Sequence, residues 1–442
     1  MVYTLTFNPA IDYTVELDAF CEGGLNRSNN EYINYGGKGI NVSVVLNNLN
    51  IENTALGFLA GFTGEELEKS LKKQGVNTDF IYLKSGLTRI NVKIKGKRET
   101  EINANGPEID RESLEGLFDK LNKLNSGDYL ILSGSIPKKL SQNIYKEILE
   151  MLQGRGIEFI VDAEKNLLLD TLKFKPFLVK PNLFELCQIT GKALESENEI
   201  IEGAKSLQKQ GGKNVLVSLG EKGALLISEN SEVLWQKAPK GRLVNSVGAG
   251  DSMISGFLKG YLDTKDYGVA LKMGVAAGSA TAFSKELAKT EEIYKTLDKK
   301  IKDIENKIIT EYRQTNSHIH TIKGISEVSA AGIYAEFNGV NYFTNPNQML
   351  AFAGLDVSRH QSGNQDSKGR MVKHGSSHLR QILMNVVDTF ALHNPVIYDY
   401  QTKKIKEGKY WRVAQTHVAR KLVRIIYHLE KNNMDFDSNL LK

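Results

Sequence analysis

Between residues 128 and 227, short apolar runs alternate with amphipathic segments that end in glycine, and this alternation limits the fold more than any other feature. The runs "DYLILSGSIP", "IEFIVDA", "PFLVKPN" and "NVLVSLGEKGALLI" have the length and β-branched content of buried strands. Between them, "SQNIYKEILEMLQGRG" and "EIIEGAKSLQKQGG" carry apolar residues at helical spacing and close on glycine, which accepts the left-handed turn at a helix C-terminus. Such alternation predicts an α/β body, a parallel sheet covered by helices on both faces. Its active site is expected outside the C-terminal ends of the strands. Upstream, "DYTVELDAF", "NEYINYGG" and "RINVKIKGKRETEIN" alternate polar and apolar residues. That pattern suits a small sheet projecting from the body, with one face wet or covering a ligand.

A second constraint is a change of character near residue 297. The 442 residues allow two or three domains with substantial cores. All eight histidines lie at or after His318. Residues 1–297 hold 36 Lys and Arg against 38 Asp and Glu, whereas residues 298–442 hold 21 against 14. The formal net charge of +5 therefore averages two unlike parts, and any argument about nucleic acid applies to the tail alone. "AKTEEIYKTLDKKIKDIENKI", residues 288–308, crosses the change as one unbroken charged helix. Within it Leu297, Ile301, Ile304, Ile308 and Tyr312 form a single apolar stripe, read as packing on its own domain because the heptads are too few for a long coiled coil. Cys21 and Cys187 fit neither metal nor disulfide spacing, which points to a reducing, cytoplasmic location. The start "MVYTLTFNPAIDY" has no basic region leading into an apolar core, so no signal peptide is expected, and no apolar run approaches bilayer length.

The richest stretch chemically is "VNSVGAGDSMISGFLKGYL", residues 244–262. Gly248, Ala249 and Gly250 precede a long amphipathic segment, so backbone amides and a helix N-terminus can approach an anion there. Asp251 either accepts the proton of an attacking hydroxyl as a phosphoryl group transfers, or caps the helix. "YGGKGINVSVVLNNL" is a glycine turn before a helix, where Gly36, Gly37 and Asn41 could face a hydroxylated ligand. "VKPNLFEL" sets Asn182 and Glu185 on one face of a helix turn, able to position Mg²⁺ through its waters or to form a capping box. Asp12 in "TFNPAIDYTVEL" either accepts hydrogen bonds from sugar hydroxyls or serves as a turn residue.

These segments appear together with "GGLNR", "GFTGE", "TRINVKIK" and "LSGSIP", and the ordered set resembles the ribokinase/PfkB family of carbohydrate kinases, its 1-phosphofructokinase branch most closely. The resemblance covers residues 1 to about 297. It implies a ribokinase-like three-layer α/β/α body with a small β-sheet lid, the lid strands falling roughly within 10–36 and 88–105 and often forming a homodimer interface. It also implies ATP with Mg²⁺ as donor and fructose 1-phosphate as acceptor, giving fructose 1,6-bisphosphate. By motif, Asp251 becomes the base and Gly248, Ala249 and Gly250 the anion hole. Asp12, Gly36, Gly37 and Asn41 hold the sugar, with Ser135 of "SGSIP" beside it. Arg27, Lys38 and Arg89 are the cations for the substrate phosphate, suited to phosphate oxygens. Ser218, Gly220, Gly223 and Ser284 fall where the family contacts nucleotide, and Asn182 and Glu185 take the metal through water. Tagatose-6-phosphate kinases and fructose-6-phosphate kinases of the same family share these motifs, so the acceptor stays open between them.

The tail reads differently. "IHTIKGISEVSAAGIYAEF" has the pattern of a helix–glycine-turn–helix hairpin, a shape that can present amides to DNA phosphate, although Ser326 stands where a second glycine is usual. Downstream, Ser362 lies in a polar loop followed by Lys368, Arg370, Lys373, His374 and Arg380, a basic surface suited to a phosphodiester backbone. "IKGISEVSAAGIYAEF", "FAGLDVSRHQSG", "KGRMVKHGSSHLR" and "VARKLVRIIYHL" together resemble the C-terminal half of the bridge-RNA-guided serine transposases, over residues 298 to about 434. The resemblance implies a helical connector at 298–317, a mostly α-helical domain at 318–442 and a nucleophilic role for the serine at 362. The acidic metal-binding domain that precedes this region in that family is replaced here by the kinase. The expectation is therefore a sugar-phosphate kinase carrying a tail inactive in recombination, with at most weak DNA or RNA binding. The opposing reading is a nucleic-acid-binding protein that uses the kinase fold as scaffold.

Overall fold

The computed structural model describes residues 1–356, 361–362, 365–366 and 374–441. It divides into two units, Met1–Lys299 and Lys300–Lys442. In the first, β1 (Val2–Thr6) is an interior strand of a ten-stranded sheet. On one side follow β4 (Asn53–Leu59), β5 (Asn77–Thr78) and β6 (Ile81–Tyr82). On the other follow β9 (Tyr129–Ser133), β10 (Glu158–Asp162), β11 (Leu178–Val179), β12 (Asn214–Ser218), β13 (Ala224–Ile227) and β14 (Val233–Gln236).

The sheet is parallel from β6 to β12, but β13 and β14 run antiparallel. The wholly parallel arrangement expected from the alternation thus ends at β12, two strands before the edge of the sheet. "NVLVSLGEKGALLI" is two strands joined through the turn Gly220–Lys222, not one. Gly223 makes the reversal possible: its φ is +100°, and a Cβ there would lie 1.9 Å from the Gln236 carbonyl oxygen.

Period-two alternation divides the core between the two faces of the sheet. Leu130 and Leu132 pack into one cluster while Ile131 packs into the other, and Val215 and Val217 are likewise opposed by Leu216. The second cluster is closed by the helices Ala249–Thr264 and Tyr267–Ala282, which supply Ile254, Phe257, Ala270 and Leu271. Strands with both faces buried read as continuous apolar runs for this reason.

A separate four-stranded sheet has the order β3 (Asn30–Gly36), β2 (Ala10–Glu16), β7 (Arg89–Lys95), β8 (Glu99–Ile102). Its two faces invert the usual rule. Thr14, Asn91 and Lys93 lie on the polar face and are buried. On the other face Ile33, Tyr13, Val92 and Ile102 form a row across all four strands. There Ile33 and Ile102 are 50% and 57% exposed, and Ile90 is 41% exposed.

The helix Thr290–Tyr312 runs through the division between the units. Ile293 and Leu297 pack against Val45 and Leu49 of the first unit, and Tyr312 belongs to the core of the second. Ile301, Ile304 and Ile308 are exposed, so the central part of the apolar stripe is not covered by its own domain as the sequence pattern had predicted.

The second unit packs the helices Glu327–Phe337, Pro346–Phe352, Ser377–Leu392, Pro395–Lys406 and Trp411–Asn432 around Ile333, Leu383, Phe390, Leu422 and Ile426. The expected hairpin is only half helical, since its first arm is the three-residue turn Ile319–Thr321. Gly324, at φ +94°, sits where a Cβ would be 2.5 Å from the Thr389 carbonyl oxygen, and Ser326 caps the following helix by accepting from the Ser329 amide. The glycine turn is thus occupied by internal packing. Among the described residues no helix is long and apolar enough to cross a membrane.

Candidate active site

Two helix N-termini and the ends of several strands converge on one cavity of about 390 Å³. The first helix, Lys38–Asn48, is entered through Gly37 at φ +129°, where a Cβ would meet Thr6 Cγ2 at 2.8 Å. This tight entry directs Lys38 and Asn41, three residues apart, into the cavity. The second helix begins at Ala249 behind Gly248, whose φ is +78°. Gly248 and Gly250 line the cavity, and the first-turn amides of this helix lack intrahelical acceptors, as at any helix start.

Asp251 therefore lies inside the first turn rather than at the cap position. Its side chain is buried and accepts a hydrogen bond from Asn41 Nδ2 at 2.8 Å. Asn41, expected beside a sugar, lines the cavity and donates to this carboxylate. Burial, and then the negative charge of Asp162, raise the Asp251 pKa to about 6 against the opposing effects of Asn41, Lys38 and Lys180. A carboxylate tuned toward neutrality can accept a proton at physiological pH without being protonated beforehand.

Asp162 closes β10 and is almost wholly buried between two lysines. Lys180 Nζ lies 3.3 Å from Oδ1 and Lys38 Nζ 3.5 Å from Oδ2. Burial pushes the Asp162 carboxyl up, but the two ammonium groups outweigh it and hold the pKa below its ordinary value. In return Asp162, against the opposing effect of burial, holds the Lys38 pKa well above the ordinary lysine value. Neither Asp162 nor Lys180 was singled out from the sequence. The available signal was a charged residue at the end of each buried run, "IVDA" and "LVKPN", where parallel strands deliver their functional groups.

From the small sheet, Asp12, Arg89 and Asn91 reach the same cavity. Asp12 accepts from Asn91 Nδ2 at 2.8 Å and pairs with Lys93 Nζ at 3.0 Å, so it is a held carboxylate rather than a turn residue. Lys93 and Asn91 were also missed; both lie in "TRINVKIK" on the strand face shared with Asp12. Arg89 is half-buried with its Nε unpartnered, and burial lowers its pKa. A second cavity of about 470 Å³ adjoins the sheet edge and shares Asp12 and Asn41 with the first; Gly36 lines this second one.

Asn182 and Glu185 form the capping box that was one of their two readings: Asn182 Oδ1 accepts from the Glu185 amide and Glu185 Oε2 from the Asn182 amide. Both also line the 390 Å³ cavity, and Glu185 Oε1 lies outside that reciprocal pair. One pair of residues thus meets both the structural and the cavity-facing description. Among the described residues no group of three or more His, Cys, Asp or Glu side chains is placed to share a metal ion.

The remaining expected residues separate. Ser218 lines the cavity, beside Asn182 across a β-bridge. Gly220 and Gly223 flank the turn that follows, and the Ser284 hydroxyl donates to Glu292 Oε1 at 3.0 Å. Arg27 and Ser135 are exposed and are not among the cavity-lining residues. In the second unit, Ser362 falls on the strand Gln361–Ser362, paired with Gln365–Asp366. Its side chain and residues Lys368, Arg370 and Lys373 lie outside the described residues, whereas His374 is exposed and Arg380 contacts the Ala353 carbonyl at 3.4 Å.

Residues 5–293 match the model of the pfkB family of carbohydrate kinases. The chain belongs to that family. Among curated relatives, the 1-phosphofructokinase of Bacillus subtilis is 43% identical over 302 residues, covering 68% of this chain and 99% of its own. The D-tagatose-1-phosphate kinase of Bacillus licheniformis is 37% identical, covering 67% and 97%. A putative phosphofructokinase structure from Staphylococcus aureus superposes with a TM-score of 0.61 at 38% identity, covering 68% of this chain and 97% of that one. Phosphofructokinase-2 of Escherichia coli, solved in complex with substrates and products, superposes at 0.64 with 27% identity, covering 67% and 97%. Residues 316–402 match a second model, the transposase IS116/IS110/IS902 family. The pfkB portion is accordingly a sugar-phosphate kinase, a phosphotransferase, fused to a transposase-type segment. Its ribokinase-like α/β fold is followed by a separate helical region.

Proposed function

We propose that the first unit transfers the γ-phosphoryl group of ATP to fructose 1-phosphate, giving fructose 1,6-bisphosphate. The observation that carries this reading is Asp251, a buried carboxylate with pKa raised to about 6 in the first turn of a helix bordered by Gly248 and Gly250. The acceptor hydroxyl gives its proton to Asp251 as its oxygen attacks phosphorus, and the Gly248–Gly250 amides receive the developing negative charge. Asp12, held by Asn91 and Lys93, accepts hydrogen bonds from the sugar. Lys38 and Arg89 lie on the cavity wall as cations for the existing phosphate; the unpartnered Arg89 Nε is a donor awaiting an acceptor. Ser218, Gly220, Gly223 and Ser284 mark the nucleotide side. Asn182 and Glu185 fit an oxygen-rich Mg²⁺ site because both side chains line the cavity and the capping box engages only Oε2 of the Glu185 carboxylate. When bound there, Mg²⁺ neutralises charge on the donor phosphates.

The direct test is ATP turnover with fructose 1-phosphate, fructose 6-phosphate and tagatose 6-phosphate. Fructose 1-phosphate is expected to give the highest kcat/KM. Preference for a 6-phosphate would overturn the acceptor assignment, and stimulation by none would overturn the kinase reading.

The sheet carrying Ile33, Ile90 and Ile102 is proposed to pair with a second copy of this chain, which would cover those residues. The seam is proposed near Leu297, and the tail to be inactive in recombination and independent of the kinase. A chain ending at residue 299 is expected to keep full turnover and to run as a dimer by light scattering. Introducing Ile33→Asp into it is expected to halve the mass. A truncated chain without turnover would show that the tail is required.

A further inference from the structure

We propose that Lys180 is a further catalytic residue, the side-chain cation that meets the phosphoryl group in transfer against Gly250. This rests on the phosphoryl-transfer reading given above. Lys180 is buried and lines the same cavity as Asp251. Its Nζ lies 3.1 Å from the point where a Cβ on Gly250 would sit. The missing side chain of Gly250 is what lets the ammonium lie against the middle of the Gly248–Asp251 turn.

The alternative is that Lys180 merely neutralises Asp162, and the geometry argues against it. A buried carboxylate served only structurally would be expected to take short charge-assisted hydrogen bonds of about 2.7–2.9 Å. Both oxygens of Asp162 instead lack a hydrogen-bond partner, and its two lysines stand at 3.3 and 3.5 Å. Two cations share one carboxylate, so one positive charge is left over on the Lys180–Asp162–Lys38 row. Asp251 balances that charge in the free enzyme, and an incoming phosphate would balance it during turnover. Lys180 therefore retains ammonium hydrogens for oxygens that are absent from the protein itself, while Asp162 holds it in place.

In the step, the acceptor oxygen forms a bond to the γ-phosphorus of ATP and the bond from that phosphorus to the β–γ bridging oxygen breaks. The electron pair of the broken bond leaves with ADP, and the hydroxyl proton passes to Asp251. Charge on the three equatorial oxygens is met by the turn amides and by Lys180.

The test compares wild type with Lys180→Met and Lys180→Arg in the full chain. For Lys180→Met, kcat with ATP and fructose 1-phosphate is expected to fall about 10²–10³-fold, the range for losing one preorganised donor to a developing oxyanion. The KM for fructose 1-phosphate is expected to stay the same. Calorimetric titration with ADP, with and without aluminium fluoride, supplies a readout independent of turnover. Fluoride tightens ADP binding to wild type by mimicking the group in transfer, and Lys180→Met is expected to keep ADP affinity but lose that tightening, which Lys180→Arg restores in part. Retention of the tightening in Lys180→Met would overturn the proposal. So would parallel loss of ADP binding and thermal stability in both variants, the mark of a structural ion pair. A wild type that shows the tightening yet phosphorylates no sugar phosphate would sink the acceptor reading and leave the role of Lys180 supported.

Discussion

Replacing Asp251 by Asn is expected to lower kcat by about 10²–10⁴-fold, the usual contribution of a positioned general base. Binding of ATP and of sugar phosphate should persist, because the amides of the turn and the cations of the cavity are untouched. In wild type, kcat/KM should fall tenfold for each pH unit below about 6, where the base becomes protonated. The same shift has a consequence for stability that runs in the opposite direction to activity. The folded carboxyl binds its proton more tightly than the ordinary value of 3.8, so between about 4 and 6 the folded chain carries more protons than the unfolded one. Stability contributed by this group is thus lost as pH rises through that window, and above it the buried charge costs on the order of 3 kcal/mol. Asp251→Asn should therefore raise the unfolding temperature of the kinase unit at pH 7.5 and leave it little changed at pH 4. A variant that is inactive and also less stable at neutral pH would contradict this account of the site.

The second large effect is expected at Asp12. Its carboxylate is the partner of a buried ammonium, Lys93, and of a buried amide, Asn91. Asp12→Ala leaves the ammonium without its counter-charge, and breaking a buried pair by removing one member costs about 3–5 kcal/mol. That penalty falls on the four-stranded sheet, whose amides should exchange faster than those of the main sheet in native-state hydrogen exchange. Losing a charge-assisted hydrogen bond to a sugar hydroxyl, about 1.5–3 kcal/mol, should raise the acceptor KM by about 10–150-fold. The KM for ATP should not move. Equal losses for both substrates would mean that the sheet has unfolded generally, and would remove Asp12 from the acceptor side.

How much of this could be read from the sequence depended on whether a property was local. Leu130, Ile131 and Leu132 are apolar in succession because both sheet faces are buried, so the strand was legible without its neighbours. Gly248 and Gly250 declared a helix start that could take an anion because the backbone requirement is itself local. Asp251 could not be separated from a capping residue until the helix start was fixed at Ala249, three positions earlier than a capping Asp251 would demand. Lys180 and Asp162 stayed hidden because their meaning lies in their mutual distance across β10 and β11, which no spacing in the chain encodes. The reversal at β13 was missed for a related reason, since a hairpin and a crossover begin with the same glycine turn. For the stripe at Ile301, Ile304 and Ile308, periodicity established that one helix face is apolar but not what, if anything, covers it.

The inverted sheet also changes what dilution does to this enzyme. Asn91 and Lys93 are turned inward while Ile33, Ile90 and Ile102 are exposed, so an apolar surface open to water is borne by the element that carries Asp12 and Arg89. With a second copy covering that face, as proposed above, concentration and salt would become variables of catalysis through mass action on that pairing. In dilute assays the specific activity would decline before the main sheet unfolds, and excluded salts such as sulfate would restore it. A loss of activity on storage would then report a bare sheet rather than a damaged base.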